Sequence, residues 1–204
     1  AADPVAAVEV VEVRQIRGRA GMIKKHFPHL GGSLILASAA LLGFLGQWEG
    51  AEQHVVYADR LAGGLPTVCK GLTRHVTTTP IIVGERWSAE KCAREEAAAL
   101  QRVQTALAQC FKRLPPQYVF DAASSHAWNF GHPSTCSSLA MQAFNRGDWE
   151  TGCRRLSMSD AGRPVWSFTS SIDPKTGAKV YTFIQGLANR RQAETSFCRK
   201  GVTT

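Results

Sequence analysis

The chain has 204 residues, 44% of them hydrophobic and 20% charged. That suffices for one well-packed domain with an added segment, and it is too balanced for a disordered, collagen-like or coiled-coil chain. The net charge of +8 is dispersed, with five basic and three acidic groups in residues 1–48 against 19 and 13 in the rest. It favours an anionic partner without choosing among nucleic acid, lipid and acidic polysaccharide.

Residues 1–29 mix Val/Glu alternation with Arg and Pro, and no stable structure is expected for them. From Leu30 to Trp48 there are 19 residues without a charge, preceded by Arg14, Arg17, Arg19, Lys24 and Lys25. This is the length of a minimal membrane span, and the basic flank orients its N-terminus inside. Nine of the 19 are Gly, Ala or Ser, so insertion into lipid is marginal. The run can be read as a cleaved signal peptide, a permanent anchor, or a segment that inserts and later leaves the bilayer. Cleavage at Ala37-Ser38-Ala39 would leave an apolar core of only Leu30–Leu36, at the short limit for a signal sequence. Leu34, Leu41, Leu42 and Leu45 recur at helical spacing, which also suits a soluble core helix. The expectation is a weakly apolar, signal-anchor-like helix over 30–48.

Next come Trp48-Glu49-Gly50, then His54–Asp59, then Gly63–Cys69. Two short β-branched or aromatic stretches around a Gly-rich turn predict a small antiparallel sheet after a helix ending near Glu49. Two carboxylates, Glu49 and Asp59, and the Thr67 hydroxyl then border one cleft. Glycoside hydrolysis needs such a set: one carboxyl protonates the leaving oxygen, and a second group stabilises the oxocarbenium-like centre or positions water. Ser88 with Glu90 in the first turn predicts a helix to about Arg113, with Leu100, Val103, Leu107, Phe111 and Leu114 on one face, stopped by Pro115-Pro116. A second helix carries Val119, Phe120, Ala123 and Ala127 into Trp128 and Asn129. Asp148 starts a short helix, Asp173-Pro174-Lys175-Thr176-Gly177 turns a surface hairpin, and Asn189-Arg190-Arg191 sits in a last helix. His126 and His132 are read as packing or surface residues, and most of the five Trp as core.

Six Cys, namely Cys69, Cys92, Cys110, Cys136, Cys153 and Cys198, form no CxxC pair and no Cys/His cluster of zinc-site spacing. Disulfides in an oxidising compartment are expected, with neither metal nor cofactor.

Glu49-Gly50, Tyr57-Ala58-Asp59 and Pro66-Thr67-Val68-Cys69-Lys70-Gly71 resemble the Glu/Asp/Thr region of phage-type lysozymes, the endolysins of tailed phages. Trp128-Asn129-Phe130-Gly131, Asn145-Arg146-Gly147-Asp148-Trp149 and Gly186–Glu194 resemble that family's C-terminal lobe in the same order. The resemblance implies an α+β, lysozyme-like fold over 49–204, with a small antiparallel sheet lobe and a mostly helical lobe joined by a long helix and a cleft between them. It implies a monomeric muramidase acting on peptidoglycan, with Glu49 as general acid, Asp59 as the electrostatic or water-positioning carboxylate, Thr67 orienting water and Asn129 reaching the substrate. It pairs Cys69 with Cys92 and Cys153 with Cys198, leaving Cys110 and Cys136 to each other. The Glu49–Asp59 spacing is one residue longer than the family's usual one, the Gly63-Gly64 turn adds about two before Thr67, and Leu72 stands where the family often has His.

Because the apolar run ends at Glu49, the chain also resembles the signal-arrest-release endolysins, which are exported tethered to the inner membrane and become active in the host periplasm on leaving it. The rival expectation is a non-catalytic, membrane-tethered cell-wall-binding protein. Nucleic acid is not expected as a partner, since no binding module or basic aromatic stripe occurs.

Overall fold

The computed structural model describes residues 23–48, 52–60 and 63–202. The charge-free run does not fold as one helix. Ile23–Phe27 (β1) and Gly32–Leu36 (β2) pair antiparallel, joined by a 3-10 turn at Pro28–Leu30, and only Ala39–Trp48 (α1) is helical. The expected helix over 30–48 is thus corrected to strand, turn and short helix, and the expected lack of structure is corrected for 23–29. Residues 1–22 lie outside the described residues. Local chemistry explains the break. Gly31 adopts φ 70°, a conformation that favours glycine, and a Cβ on Gly32 would meet the tip of the Leu114 side chain, which would have to move. Ser38 then opens α1, its Oγ accepting from the Leu41 N–H at 3.0 Å. Among the described residues no helix is long and apolar enough to cross a membrane.

Side chains from far along the chain hold this N-terminal piece. Gln117 Oε1 accepts from Ile35 N–H at 3.1 Å while its Nε2 donates to Ile35 O at 2.9 Å, and Gln104 Oε1 accepts from Ala37 N–H at 2.7 Å. Ser38 Oγ donates to Asp121 Oδ2 at 2.6 Å, and Gln117 Nε2 also donates to Asp121 Oδ1. Buried backbone groups need such partners, and here glutamines supply what a continuous helix would have supplied internally.

Gln53–Asp59 (β3), Leu65–Cys69 (β4) and Leu72–Thr73 (β5) make the small antiparallel sheet in sequence order. Val56, Val68, Leu72 and Trp87 form its core. Ser88 caps Ala89–Ala108 (α2), accepting from Lys91 N–H. This helix stops short of Arg113: beyond Ala108, Asn145 takes Cys110 O and Lys112 N–H, and Cys110 is bridged to Cys136. The helical lobe follows, with Gln117–Phe130 (α3), His132–Cys136 (α4), Leu139–Arg146 (α5), Trp149–Arg154 (α6, capped by Asp148) and Gln185–Arg199 (α7). Phe168–Ile172 (β6) and Lys179–Phe183 (β7) form the hairpin before α7.

The main core joins both ends of the chain: Phe27, Leu34 and Leu36 pack with Leu107, Phe120, Phe144 and Phe197. The disulfides are Cys69–Cys92, Cys110–Cys136 and Cys153–Cys198, as the family resemblance implies. Trp87 is a core residue, and the partly buried Trp128 packs against all three apolar clusters of the molecule.

Candidate active site

Register determines which sheet residues share a face. Asp59 pairs with Leu65 and Tyr57 with Thr67, and paired residues of an antiparallel ladder point the same way, as do residues two apart. Asp59 and Thr67 are therefore diagonal neighbours on one face. The Gly63-Gly64 turn tightens the hairpin, Gly64 N–H donating to Asp59 O at 2.7 Å with both glycines at positive φ. Asp59 is half-buried, and Thr67 is buried with its hydroxyl donating to Leu65 O at 3.0 Å. That bond uses the Thr67 proton and leaves its oxygen to accept from a water. Glu49, with Gly50 and Ala51, lies outside the described residues; α1 ends at the preceding residue, Trp48.

A cleft of about 520 Å³ is lined by Gly71, Thr73 and His75 from the sheet lobe and by Trp128, Asn129 and Phe130 at the end of α3; Asp59 and Thr67 are not among its lining residues. The sheet-lobe wall is pinned to α2. Glu95 Oε2 accepts from the Thr77 and Thr79 hydroxyls at 3.0 and 2.9 Å, and Lys70 N–H donates to Glu96 Oε1 at 2.8 Å. Burial raises the Glu96 carboxyl above its usual range, opposed by the Lys70 amide and ammonium.

The helical-lobe wall has a polar file behind it. Arg191 Nη1 donates to Asn129 Oδ1 at 2.9 Å, and its Nη2 donates to Glu194 Oε1 at 2.6 Å, which also accepts from Ser125 Oγ. Arg191 and Glu194 are fully buried. Burial lowers Arg191 to about 10, so it stays charged at neutral pH, and burial also raises Glu194. With its oxygen held by Arg191, Asn129 has its amide NH2 as donor for a sugar hydroxyl or carbonyl. Asn129 lies in the last turn of α3. His126 is buried under Phe130 and Trp166, with Nδ1 2.9 Å from Thr135 Oγ1. Burial, then the neighbouring Arg191 and Arg190 charges, hold its pKa well below the usual value, so it is neutral.

The structure sets the expected residues Asp59 and Thr67 on one face of the sheet and Asn129 at the cleft, and it adds a partner that the sequence reading did not name, the Arg191–Glu194 pair that holds Asn129. The i,i+3 spacing of Arg191 and Glu194 on a predicted helix was the available signal. Glu52, His54 and Cys92 also come together, but the Cys92 sulfur is bound to Cys69 and offers no thiolate.

The phage lysozyme family model matches residues 46–194. A SAR-endolysin of Pseudomonas phage phiKMV is 30% identical over 162 residues, covering 79% of this chain and 88% of the relative. Among solved structures, the endolysin from Escherichia coli O157:H7 phage FAHEc1 superposes with a TM-score of 0.63 at 23% identity, covering 79% of this chain and 91% of that one. The muramidase domain of SpmX from Asticaccaulis excentricus gives 0.61 at 20% identity, covering 79% and 95%. A P22 lysozyme variant gives 0.57 at 20% identity, covering 80% and 98%. These three likenesses show the fold.

Proposed function

The chain belongs to the phage lysozyme family and is a glycoside hydrolase of lysozyme type, and from that premise we propose that it hydrolyses the β-1,4 bond between N-acetylmuramic acid and N-acetylglucosamine in peptidoglycan, after release from a tethered, silent form. Glu49 donates its proton to the leaving glycosidic oxygen. Asp59 stabilises the oxocarbenium-like centre or positions water, and Thr67 accepts a hydrogen bond from that water. Asn129 donates to the sugar from the helical lobe. The enzyme works as a monomer in the host periplasm, and its positive charge favours approach to the anionic wall.

Residues 30–48 are the proposed tether. The observation that carries this part is the polar docking of Ile35, Ala37 and Ser38 onto Gln117, Gln104 and Asp121. A segment lying in lipid makes none of those bonds, so the helix that leads into Glu49 cannot be docked and membrane-inserted at once. The two states compete, and the nine small residues of the run keep its lipid affinity low enough for the docked state to win.

The test uses the full chain expressed in bacteria. Before the membrane potential is collapsed the protein should fractionate with the inner membrane and release no reducing muramic-acid ends; after a protonophore it should be soluble and active. Full activity of the tethered protein would contradict the release step and leave the muramidase reading intact.

A further inference from the structure

The hairpin β6–β7 is an apolar surface anomaly among the described residues. Every residue of both strands is exposed. Five of the exposed large hydrophobic residues lie in it, with Ile172 at 62% and Tyr181 at 64%. Pairing sorts them: Phe168 with Phe183, Ser170 with Tyr181 and Ile172 with Lys179 share one face, while Thr169, Thr182, Ser171 and Val180 make the other. One face is thus aromatic and aliphatic with a lysine at its outer end, and the other is mostly hydroxyls. An amphipathic hairpin normally lays its apolar face on the core; among the described residues this one leaves it exposed.

We propose that this face is an outlying contact for the glycan strand of the wall, extending the catalytic cleft. The inference rests on the muramidase reading and deepens it. Its first support is continuity. Phe130 lines the cleft, Trp166 packs on Phe130 at 5.2 Å between ring centroids, and Phe168, paired at 5.5 Å with Phe183, follows two residues later. The Phe130–Trp166 contact thus stands two residues in sequence from the aromatic root of the hairpin, and five strand residues extend from there by roughly 17 Å. Its second support is chemistry. Flat apolar sugar faces stack on aromatic rings, and Ser170 adds a hydroxyl on the same face. Lys175 and Lys179 bring positive charge for stem-peptide carboxylates. The nearby Asp173 is occupied by the turn, its Oδ1 accepting from the Lys175 and Thr176 amides at 2.7 and 3.3 Å, while Lys179 Nζ lies 5.4 Å from the Tyr181 ring centroid. A lipid surface suits the hairpin less. Its tip, Asp173–Gly177, is polar and charged, and its most apolar pair is at the root, the reverse of a tip that inserts.

The experiment measures binding of the oxidised, full-length Glu49→Gln protein to purified sacculi and to phosphatidylglycerol/phosphatidylethanolamine vesicles, with and without Ile172→Ser plus Tyr181→Ser. Both added substitutions are on exposed positions, and an unchanged melting temperature establishes that the fold is kept. The double substitution should weaken sacculus binding about tenfold, Tyr181→Trp alone should preserve it, and vesicle binding should not depend on the hairpin. In the Glu49 background the same pair should raise KM for sacculi with kcat unchanged. Equal sacculus affinity with and without the pair would overturn the proposal, as would hairpin-dependent binding to vesicles or hairpin-dependent self-association. Wild-type protein that binds sacculi through the hairpin yet releases no reducing ends would overturn the muramidase reading alone.

Discussion

The hairpins β1–β2 and β6–β7 each pair five residues with five, and they meet opposite surroundings. In the first, Phe27, Leu34 and Leu36 are buried in the main core, and the edge of β2 is bound by Gln117 at both Ile35 backbone groups. In the second, every residue of both strands is exposed among the described residues. It is fixed at its root, where Ile184 N–H donates to the carbonyl of buried Ser167 at 2.8 Å, and at its turn by Asp173. A two-stranded hairpin is marginal alone. Comparison of the pair therefore separates strands that stabilise the enzyme from strands whose apolar face is available to something outside it.

The largest expected effect is in the first hairpin. Leu34→Ala should cost about 2–5 kcal/mol in denaturant unfolding, because the methyl groups lost are fully buried beside the aromatic core. Next comes Asp121, whose carboxyl burial pushes up to about 6, against the Ser38 and Gln117 hydrogen bonds that favour its ionised form. The folded state holds the proton between about pH 4 and 6 and the unfolded state does not. Stability from this group is therefore present in acid and lost as pH rises through 6, by at most about 3 kcal/mol. Melting followed from pH 7 to 4.5 should show wild type gaining on Asp121→Asn; a parallel pair of curves would remove Asp121 from the account. Gln117→Ala removes two hydrogen bonds at the β2 edge and one to Asp121 and should cost about 1–3 kcal/mol, with faster hydrogen exchange at the Ile35 amide. The smallest effect marks the second hairpin: Ile172→Ser should change stability by no more than about 0.5 kcal/mol. A loss as large as that of Leu34→Ala would mean that β6–β7 packs on the fold after all.

Much of the frame was legible because local signals agreed with the tertiary structure. The Gly63-Gly64 turn, the Ser88 cap and the Asp173–Gly177 turn each stand where their chemistry predicts. The two β-branched or aromatic stretches around the Gly63-Gly64 turn were enough to predict the small sheet, and the pairing register then sets Asp59 and Thr67 on one face. The segment 30–48 was misread because its leucines fit helical spacing, while the groups that make it a strand and turn come from Gln104 and Gln117, 67 and 82 residues away. Gly31-Gly32 and Ser38 were the local hints of a break. The fixing of Asn129 by Arg191 was invisible for the same reason, since 62 residues separate them. Short-range signals specify turns and caps; which buried polar group meets which backbone is decided by packing.

The central claim is that Glu49, the residue that follows α1 in the sequence, acts as the general acid in cleavage of wall glycan. Purified peptidoglycan should be digested with the soluble wild-type protein and with Glu49→Gln, and the reducing-end sugars identified by mass spectrometry. The account predicts reducing muramic-acid ends from the wild type and none from the variant at equal melting temperature; muramic-acid ends from Glu49→Gln at the wild-type rate, or none from the folded wild type, would contradict it.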